Sequence, residues 1–254
     1  MTGVIEVAAP RRYTGAAMDA ATLPTTLLVV GNPNVGKSVV FQWLTGRYST
    51  VSNYPGTTVT VSRGQAMLDG HPVAVRDTPG INSLMANSEE ELVSRRLVLG
   101  PGRPVILQVA DAKALERALA LTLELAEADA PVVLELNMMD EARERRLAID
   151  TRKLAQRLRV PVVETVATQR QGLDRLRRAL PSAAVPAERV TYPPDIERAA
   201  QHLAEALPAD APGRRVWALL WLGCDPEAAQ RFARLPDPEA VRSLTAVVDA
   251  AQRQ

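Results

Sequence analysis

At 254 residues the chain has room for one large domain, or for a medium domain with a small companion. Its charges almost cancel, 30 Lys and Arg against 29 Asp and Glu for a net +1, which argues against a general nucleic-acid binder. With 46% hydrophobic and 23% charged residues it can bury a core, while a single cysteine, Cys224, excludes an internal disulfide and any four-cysteine zinc site. No run approaches the roughly 20 apolar residues of a bilayer span. The segment after Arg11-Arg12 lacks the apolar stretch of a secretory signal, so a cytoplasmic location is expected.

In chain order, residues 1–24 are small, polar and aperiodic, and read as a flexible arm. Thr26–Val30 is a short apolar run of buried-strand type, followed by a Gly-rich turn and a helix-compatible stretch over Ser38–Gly46. Val51–Val59 is polar and bears Gly and Pro, which predicts a mobile loop. Val59–Leu68 and Pro72–Asp77 flank an Asp69-Gly70 turn and read as a hairpin. Further strands are expected at Val105–Val109, Val132–Leu136 and Val160–Val166. Helix-period segments separate or follow them at Glu89–Leu99, Leu115–Ala128, Glu141–Arg146, Thr151–Leu158 and Leu173–Leu180. This alternation predicts an α/β unit over residues 25–181, a mainly parallel sheet flanked by helices, with the hairpin supplying one antiparallel strand. Beyond the prolines at 181, 186, 193 and 194 the strand signal ends. Residues 182–254 read as a small all-α unit of about four helices, with Trp217, Trp221 and Cys224 in its core. His71 and His202 have no ligand partner at metal spacing and read as structural.

The first strand runs into Gly31-Asn32-Pro33-Asn34-Val35-Gly36-Lys37-Ser38, a full match to G-x-x-x-x-G-K-[ST] between a strand and a helix. Glycines let successive main-chain N–H groups curl inward onto phosphate oxygens, and the helix N-terminus adds its positive end. Lys37 supplies a point charge for the β- and γ-phosphates and Ser38 a hydroxyl for Mg²⁺. The chain has only three lysines (Lys37, Lys113 and Lys153) against 27 arginines, so keeping Lys here marks a need for a compact ammonium. Asn32, Asn34, Val35, Gly36 and Val39 complete the expected phosphate cradle. Asp77-Thr78-Pro79-Gly80 resembles the D-x-x-G motif of GTPases, in which Asp77 holds Mg²⁺ through a water and the Gly80 N–H meets the γ-phosphate. Asn137-Met138-Met139-Asp140 resembles the N-K-x-D motif, with Met138 in place of Lys. A carboxylate at Asp140 can accept from guanine N1–H and its exocyclic amine, a donor pair that adenine lacks. Gly56, Thr57 and Thr58 belong to the loop expected to fold over the phosphates. Thr58 is favoured over Thr57 as the threonine completing the Mg²⁺ shell. Val166-Ala167-Thr168 is expected to back the guanine through main-chain N–H groups. Ile81 stands where many GTPases place a water-orienting Gln, which it cannot replace, so hydrolysis must use backbone groups, a partner or an added cation.

Together the Gly-Asn-Pro-Asn of 31–34, the Asn-Tyr-Pro-Gly-Thr-Thr-Val of 53–59, Asp77–Gly80 followed by a hydrophobic residue, and the Asn-Met-x-Asp of 137–140 resemble the cytoplasmic N-terminal part of the ferrous iron transport protein B (FeoB) family. The resemblance covers about residues 25–254. It implies a Ras-like P-loop NTPase fold and Mg²⁺-dependent GTP hydrolysis. It also implies switch loops at Arg47–Thr58 and Asp77–Ser94, and a helical appendage acting as a dissociation inhibitor. A K⁺ held beside the phosphates by Asn34 would join Lys37, Thr58 and Gly80 in catalysis. Implied partners are GTP and GDP and a membrane-embedded iron-transport region, placing the chain at the cytoplasmic face of the inner membrane, with homo-oligomerisation open and no nucleic acid. Val35 and Ser38 depart from the Ser and Thr common in the family, and Gln42 from an Asn. Two other readings are an Era-like RNA-associated GTPase and a slow-turnover guanine-nucleotide sensor. The first is disfavoured because residues 182–254 carry 8 Arg against 10 Asp and Glu and no GxxG. The second is suggested by Ile81.

Overall fold

The computed structural model describes residues 26–46 and 49–252; the expected N-terminal arm lies outside them. Seven strands form one mixed sheet in the order β2-β3-β4-β1-β5-β6-β7. They are β1 (Thr26–Val30), β2 (Ser49–Asn53), β3 (Thr60–Leu68), β4 (His71–Asp77), β5 (Val105–Asp111), β6 (Val132–Asn137) and β7 (Val162–Glu164). β4, β1, β5, β6 and β7 run parallel, and β3 is antiparallel to both β4 and β2, so β3 is the one reversed strand. The parallel strands therefore all end at one edge of the sheet, and each phosphate- or base-type motif follows one of those ends.

Alternation in β1 builds two cores. Leu27 and Val29 point to the face covered by α1 (Lys37–Thr45) and α6 (Leu173–Ala179), with Phe41, Leu44, Leu173 and Leu176. Leu28 and Val30 point to the other, with Val93 and Leu97 of α2 (Glu89–Val98) and Leu121 and Leu125 of α3 (Leu115–Glu127). The start of α2 has capping-box spacing: the Ser88 side chain accepts from the Glu91 N–H at 3.2 Å. Two shorter helices, α4 (Met139–Glu144) and α5 (Thr151–Leu158), connect β6 to β7.

The C-terminal part holds the expected four helices, α7 (Pro194–Ala206), α8 (Arg214–Leu222), α9 (Pro226–Ala233) and α10 (Pro238–Gln252). Trp217 and Trp221 of α8 are buried as expected, and Trp221 stacks on Phe232 with centroids 4.5 Å apart. The core on this side is continuous with that of α2 and α3. A buried ion pair crosses it: Arg95 of α2, 1% exposed, meets Asp225 at 2.5 Å and Glu227 at 2.7 Å. Asp225 also caps α9 by accepting from the Ala228 N–H at 2.9 Å.

Three expectations are corrected. The mobile loop read over Val51–Val59 begins as strand β2, held by its pairing with β3 although all five of its residues are exposed. β7 is shorter than Val160–Val166, occupying Val162–Glu164. Cys224 is exposed rather than a core residue, because it forms the left-handed turn (φ 66°) that ends α8.

Candidate functional site

The turn from β1 into α1 wraps against β6. Gly36, at φ +95°, brings its backbone so close that a Cβ would lie 2.4 Å from Asn137 Nδ2. Asn137 Nδ2 donates to the Val35 carbonyl at 3.0 Å, and Asn137 Oδ1 accepts from the Ala167 N–H at 2.9 Å. One side chain at the end of β6 thus joins the loops that follow β1 and β7. Val35 itself is buried in the core, so only its main chain can face a ligand. Asn34 is exposed in the left-handed region (φ 63°), and its side chain makes no hydrogen bond among the described residues.

Lys37 is 8% exposed, and its ammonium donates to the Asn32 carbonyl at 2.8 Å. The Asn32 side chain, expected at the nucleotide, turns the other way and donates to Asn82 Oδ1 at 3.1 Å and the Ile81 carbonyl at 3.4 Å. It fastens the loop after β4 to the loop after β1. Asn82 in turn donates to Glu91 from its N–H and its amide, both at 3.0 Å. Burial pushes the Glu91 carboxyl up, but the bonds from Asn87 and Asn82 outweigh it and hold it below the usual range.

Ser38 donates to Asp77 Oδ2 at 2.8 Å, while Asp77 Oδ1 is buried with no partner among the described residues. Burial lowers the Lys37 pKa against the attraction of Asp77, and raises that of Asp77 against Ser38 and Lys37. A buried ammonium suits an incoming anion, and an orphaned carboxylate oxygen beside a hydroxyl suits a hard, oxygen-seeking cation such as Mg²⁺. Gly80 packs on the first loop so tightly that a Cβ would lie 2.7 Å from Pro33 Cγ. Ile81 is fully buried and cannot orient a water.

A cleft of about 380 Å³ opens here, within the usual size of small-molecule sites. Asn34, Gly36, Lys37, Ser38 and Val39 form one wall; Asn137, Met138, Asp140, Val166, Ala167 and Thr168 form the other. Asp140 is half-buried and accepts from Gln169 Nε2 at 3.2 Å. The cleft also includes Glu141, which falls in a helix-period segment of the sequence, outside the candidate site residues. Glu141 is held by Lys113 at 3.0 Å, and the same ammonium meets Asp111 at 2.9 Å and Met138 Sδ at 3.2 Å. A lysine from the end of β5 thus reaches the place where the motif carries Met.

Gly56, Thr57 and Thr58 do not reach the cleft, because β2 pairs along the sheet edge and carries the turn after it past the site. The Thr57 hydroxyl is spent inside that turn, donating to the Tyr54 carbonyl at 3.0 Å and accepting from the Val59 N–H at 3.2 Å. Thr58 is exposed, 3.5 Å from Glu89. Arg47 and Tyr48, in the first expected switch, lie outside the described residues.

Comparison with known proteins decides the lineage. The sequence profile of the family described as ferrous iron transport protein B matches residues 25–180. The chain belongs to that family. It is 34% identical over 225 residues to the Fe(2+) transporter FeoB of Salmonella typhimurium, and 33% identical over 229 residues to that of Escherichia coli K12. These alignments cover 86% and 88% of this chain but 29% of each FeoB, so the chain spans under a third of the length of these relatives. Among solved structures, an S. thermophilus NFeoB variant bound to mGDP matches with a TM-score of 0.78 at 29% identity, covering 90% of this chain and 89% of that one. The cytosolic domain of T. maritima FeoB in apo form matches at 0.74 with 28% identity, covering 91% and 98%. That of L. pneumophila FeoB matches at 0.75 with 29% identity, covering 90% and 95%. The P-loop GTPase fold of the FeoB G domain is therefore the fold of this chain, and no helix among the described residues is long and apolar enough to cross a membrane.

Proposed function

We propose that the chain binds and hydrolyses GTP in the cleft between residues 34–39 and residues 137–140 and 166–168, and that its nucleotide state regulates ferrous iron uptake through a membrane-embedded region. The observation that carries this is the convergence of a phosphate-type loop and a half-buried Asp140 on one cavity, joined through Asn137. Lys37 and the main-chain N–H groups of 34–39 bind the phosphates, while Asp140 accepts from the guanine edge and Val166, Ala167 and Thr168 back it. Ser38 and Asp77 fit Mg²⁺, Asp77 through a water, which when bound neutralises charge on the transferring phosphate. Thr58, exposed and outside the cleft with its hydroxyl toward Glu89, would join that shell only if its loop moved over the phosphates, while the Thr57 hydroxyl is bonded within its own turn. Asn34, with its unbonded side chain beside the phosphate loop, is the residue suited to a K⁺. With Ile81 buried, hydrolysis draws on backbone groups and cations to orient the attacking water.

In this reading residues 25–181 are the nucleotide-binding unit and residues 182–254 a helical unit that senses it through α2. The chain acts at the cytoplasmic face of the membrane, alone or as an oligomer. The relatives' names as Fe(2+) transporters support the iron assignment. The test is competition of GDP and ADP against a fluorescent guanine nucleotide, together with phosphate release from GTP, in KCl and in NaCl. Lys37→Ala should abolish binding and Asp140→Ala should remove the preference for guanine. Equal affinity for both purines would refute the assignment, and hydrolysis in neither salt would leave a sensor rather than an enzyme.

A further inference from the structure

β6 is apolar from Val132 to Leu136 except at one position, and that position is an acid. Glu135 is 0% exposed. It lies in register between Val109 of β5 and Val163 of β7, on the face covered by Phe41 of α1 and Leu173 and Leu176 of α6. Its Oε1 accepts from the Thr165 hydroxyl at 2.7 Å, and its Oε2 is buried with no partner among the described residues. The same hydroxyl stands 3.3 Å from Asn137 Oδ1. Asn137 is the side chain that ties Val35 of the phosphate loop to Ala167 of the base loop.

A hydroxyl has one hydrogen to give. While Glu135 is ionised, that hydrogen goes to the carboxylate, the stronger acceptor, and Asn137 Oδ1 keeps only the Ala167 N–H. When Glu135 takes up a proton, its own O–H can donate to Thr165 Oγ1, and the Thr165 hydrogen turns to Asn137 Oδ1. The neutral arrangement completes the chain and removes an unpaired charge from the core.

We infer that Glu135 is a positioning residue for nucleotide binding: through Thr165 and Asn137 its protonation state reaches the 34–38 and 166–168 loops, so the chain holds guanine nucleotide more firmly in mild acid than in mild base. The inference rests on the guanine-nucleotide reading above. Burial pushes the Glu135 carboxyl up to about 7, with Thr165 pulling the other way. The charged groups of the neighbouring elements are engaged or turned away. Lys37 of α1 donates to Asn32, Asp111 at the end of β5 pairs with Lys113, and Glu164 of β7 pairs with Arg143. Asp174, Arg175, Arg177 and Arg178 of α6 are exposed.

The experiment is release of a preloaded N-methylanthraniloyl-GDP, chased with excess GDP, at pH 6 and pH 8. Wild type is compared with Glu135→Gln and Thr165→Val, with circular dichroism and thermal melting confirming the fold of each. The ligand's own phosphate ionises near pH 6, at about the same pH for every variant, so the quantity read is each protein's ratio of release rates at the two pH values. The wild-type pH 8 to pH 6 ratio should exceed that of Glu135→Gln by up to about five-fold, the change that one ordinary hydrogen bond makes. Glu135→Gln, permanently neutral and able to donate to Thr165, should stay slow at both pH values. Thr165→Val keeps the carboxyl but cuts the chain and should also flatten the ratio. A Glu135→Gln or Thr165→Val protein that keeps the wild-type ratio overturns the inference while leaving guanine binding intact. A wild type that binds no guanine nucleotide overturns the reading beneath it as well.

Discussion

Removing the Asp225 carboxylate tests whether α2, which begins nine residues after Gly80, is fastened to the C-terminal helices by a buried charge pair. Arg95 is 1% exposed; its guanidinium meets Asp225 at 2.5 Å, Glu227 at 2.7 Å and the Leu84 carbonyl at 3.2 Å, and lies 5.7 Å from the Trp217 ring centre. Breaking a buried pair by deleting one partner costs about 3–5 kcal/mol, because the other charge stays buried. Here Glu227 remains, so the lower end applies, about 3 kcal/mol. Asp225→Ala also loses the cap on the Ala228 N–H, worth about 1 kcal/mol more. The expected loss is therefore about 4 kcal/mol for Asp225→Ala. Asp225→Asn retains a capping oxygen and should lose about 1 kcal/mol less. Equilibrium urea unfolding of both variants gives the two values. In the double variant Arg95→Met/Asp225→Ala the loss should fall well below the sum of the single losses, since no unpaired charge is left. An Asp225→Ala loss below about 1 kcal/mol, or additive losses in the double variant, would refute the clamp.

Asp140→Ala should reduce guanine-over-adenine discrimination by on the order of 2–3 kcal/mol, the worth of a charge-assisted bond, read by competition of GDP and ADP. Gly36→Ala should weaken nucleotide binding at least ~10-fold and lower the melting temperature, because the added carbon strains a φ of +95° and strikes Asn137; calorimetry and melting check both. Glu135 also predicts a stability profile. Its folded pKa of about 7 lies above the ordinary glutamate value of 4.5, so the folded state holds the proton more tightly than the unfolded chain. The contribution of this carboxyl to stability is then fully present below about 4.5, is lost as pH rises to about 7, and is absent above it, a total on the order of 3 kcal/mol. Glu135→Gln should remove that slope, so the variant melts higher than wild type at pH 8 and with little difference at pH 4.5.

The readable parts of this protein were local. A phosphate loop depends on where glycines allow the backbone to turn and on a Lys and Ser at set distances, so Gly31–Ser38 and its place between strand and helix were plain in the residue order. An apolar run marked β1, mostly apolar, β-branched runs marked β5 and β6, and four proline-separated amphipathic segments marked α7 to α10, because burial on one or both faces leaves a period in the sequence. β2 left no such mark: Ser-Thr-Val-Ser-Asn is exposed throughout, and only hydrogen bonds to β3 make it a strand. The acid within Val-Val-Leu-Glu-Leu-Asn drew no notice in the residue order, because its link to Asn137 runs through Thr165, 30 residues on.

By itself, then, the residue order determined the fold class and the phosphate loop and singled out Asp140, which lines the same cleft, since each rests on a short motif, short-range backbone geometry or periodic burial. Tertiary structure alone decided that the Asn32 side chain bonds to Ile81 and Asn82 outside the cleft lining, that the Lys113 ammonium lies beside Met138, and that Arg95 is buried against Asp225, 130 residues away. The physical reason is that a polar side chain carries no sign of its partner: it can bond to water or to protein equally well, and which it meets depends on what the packing of distant segments brings within 3 Å.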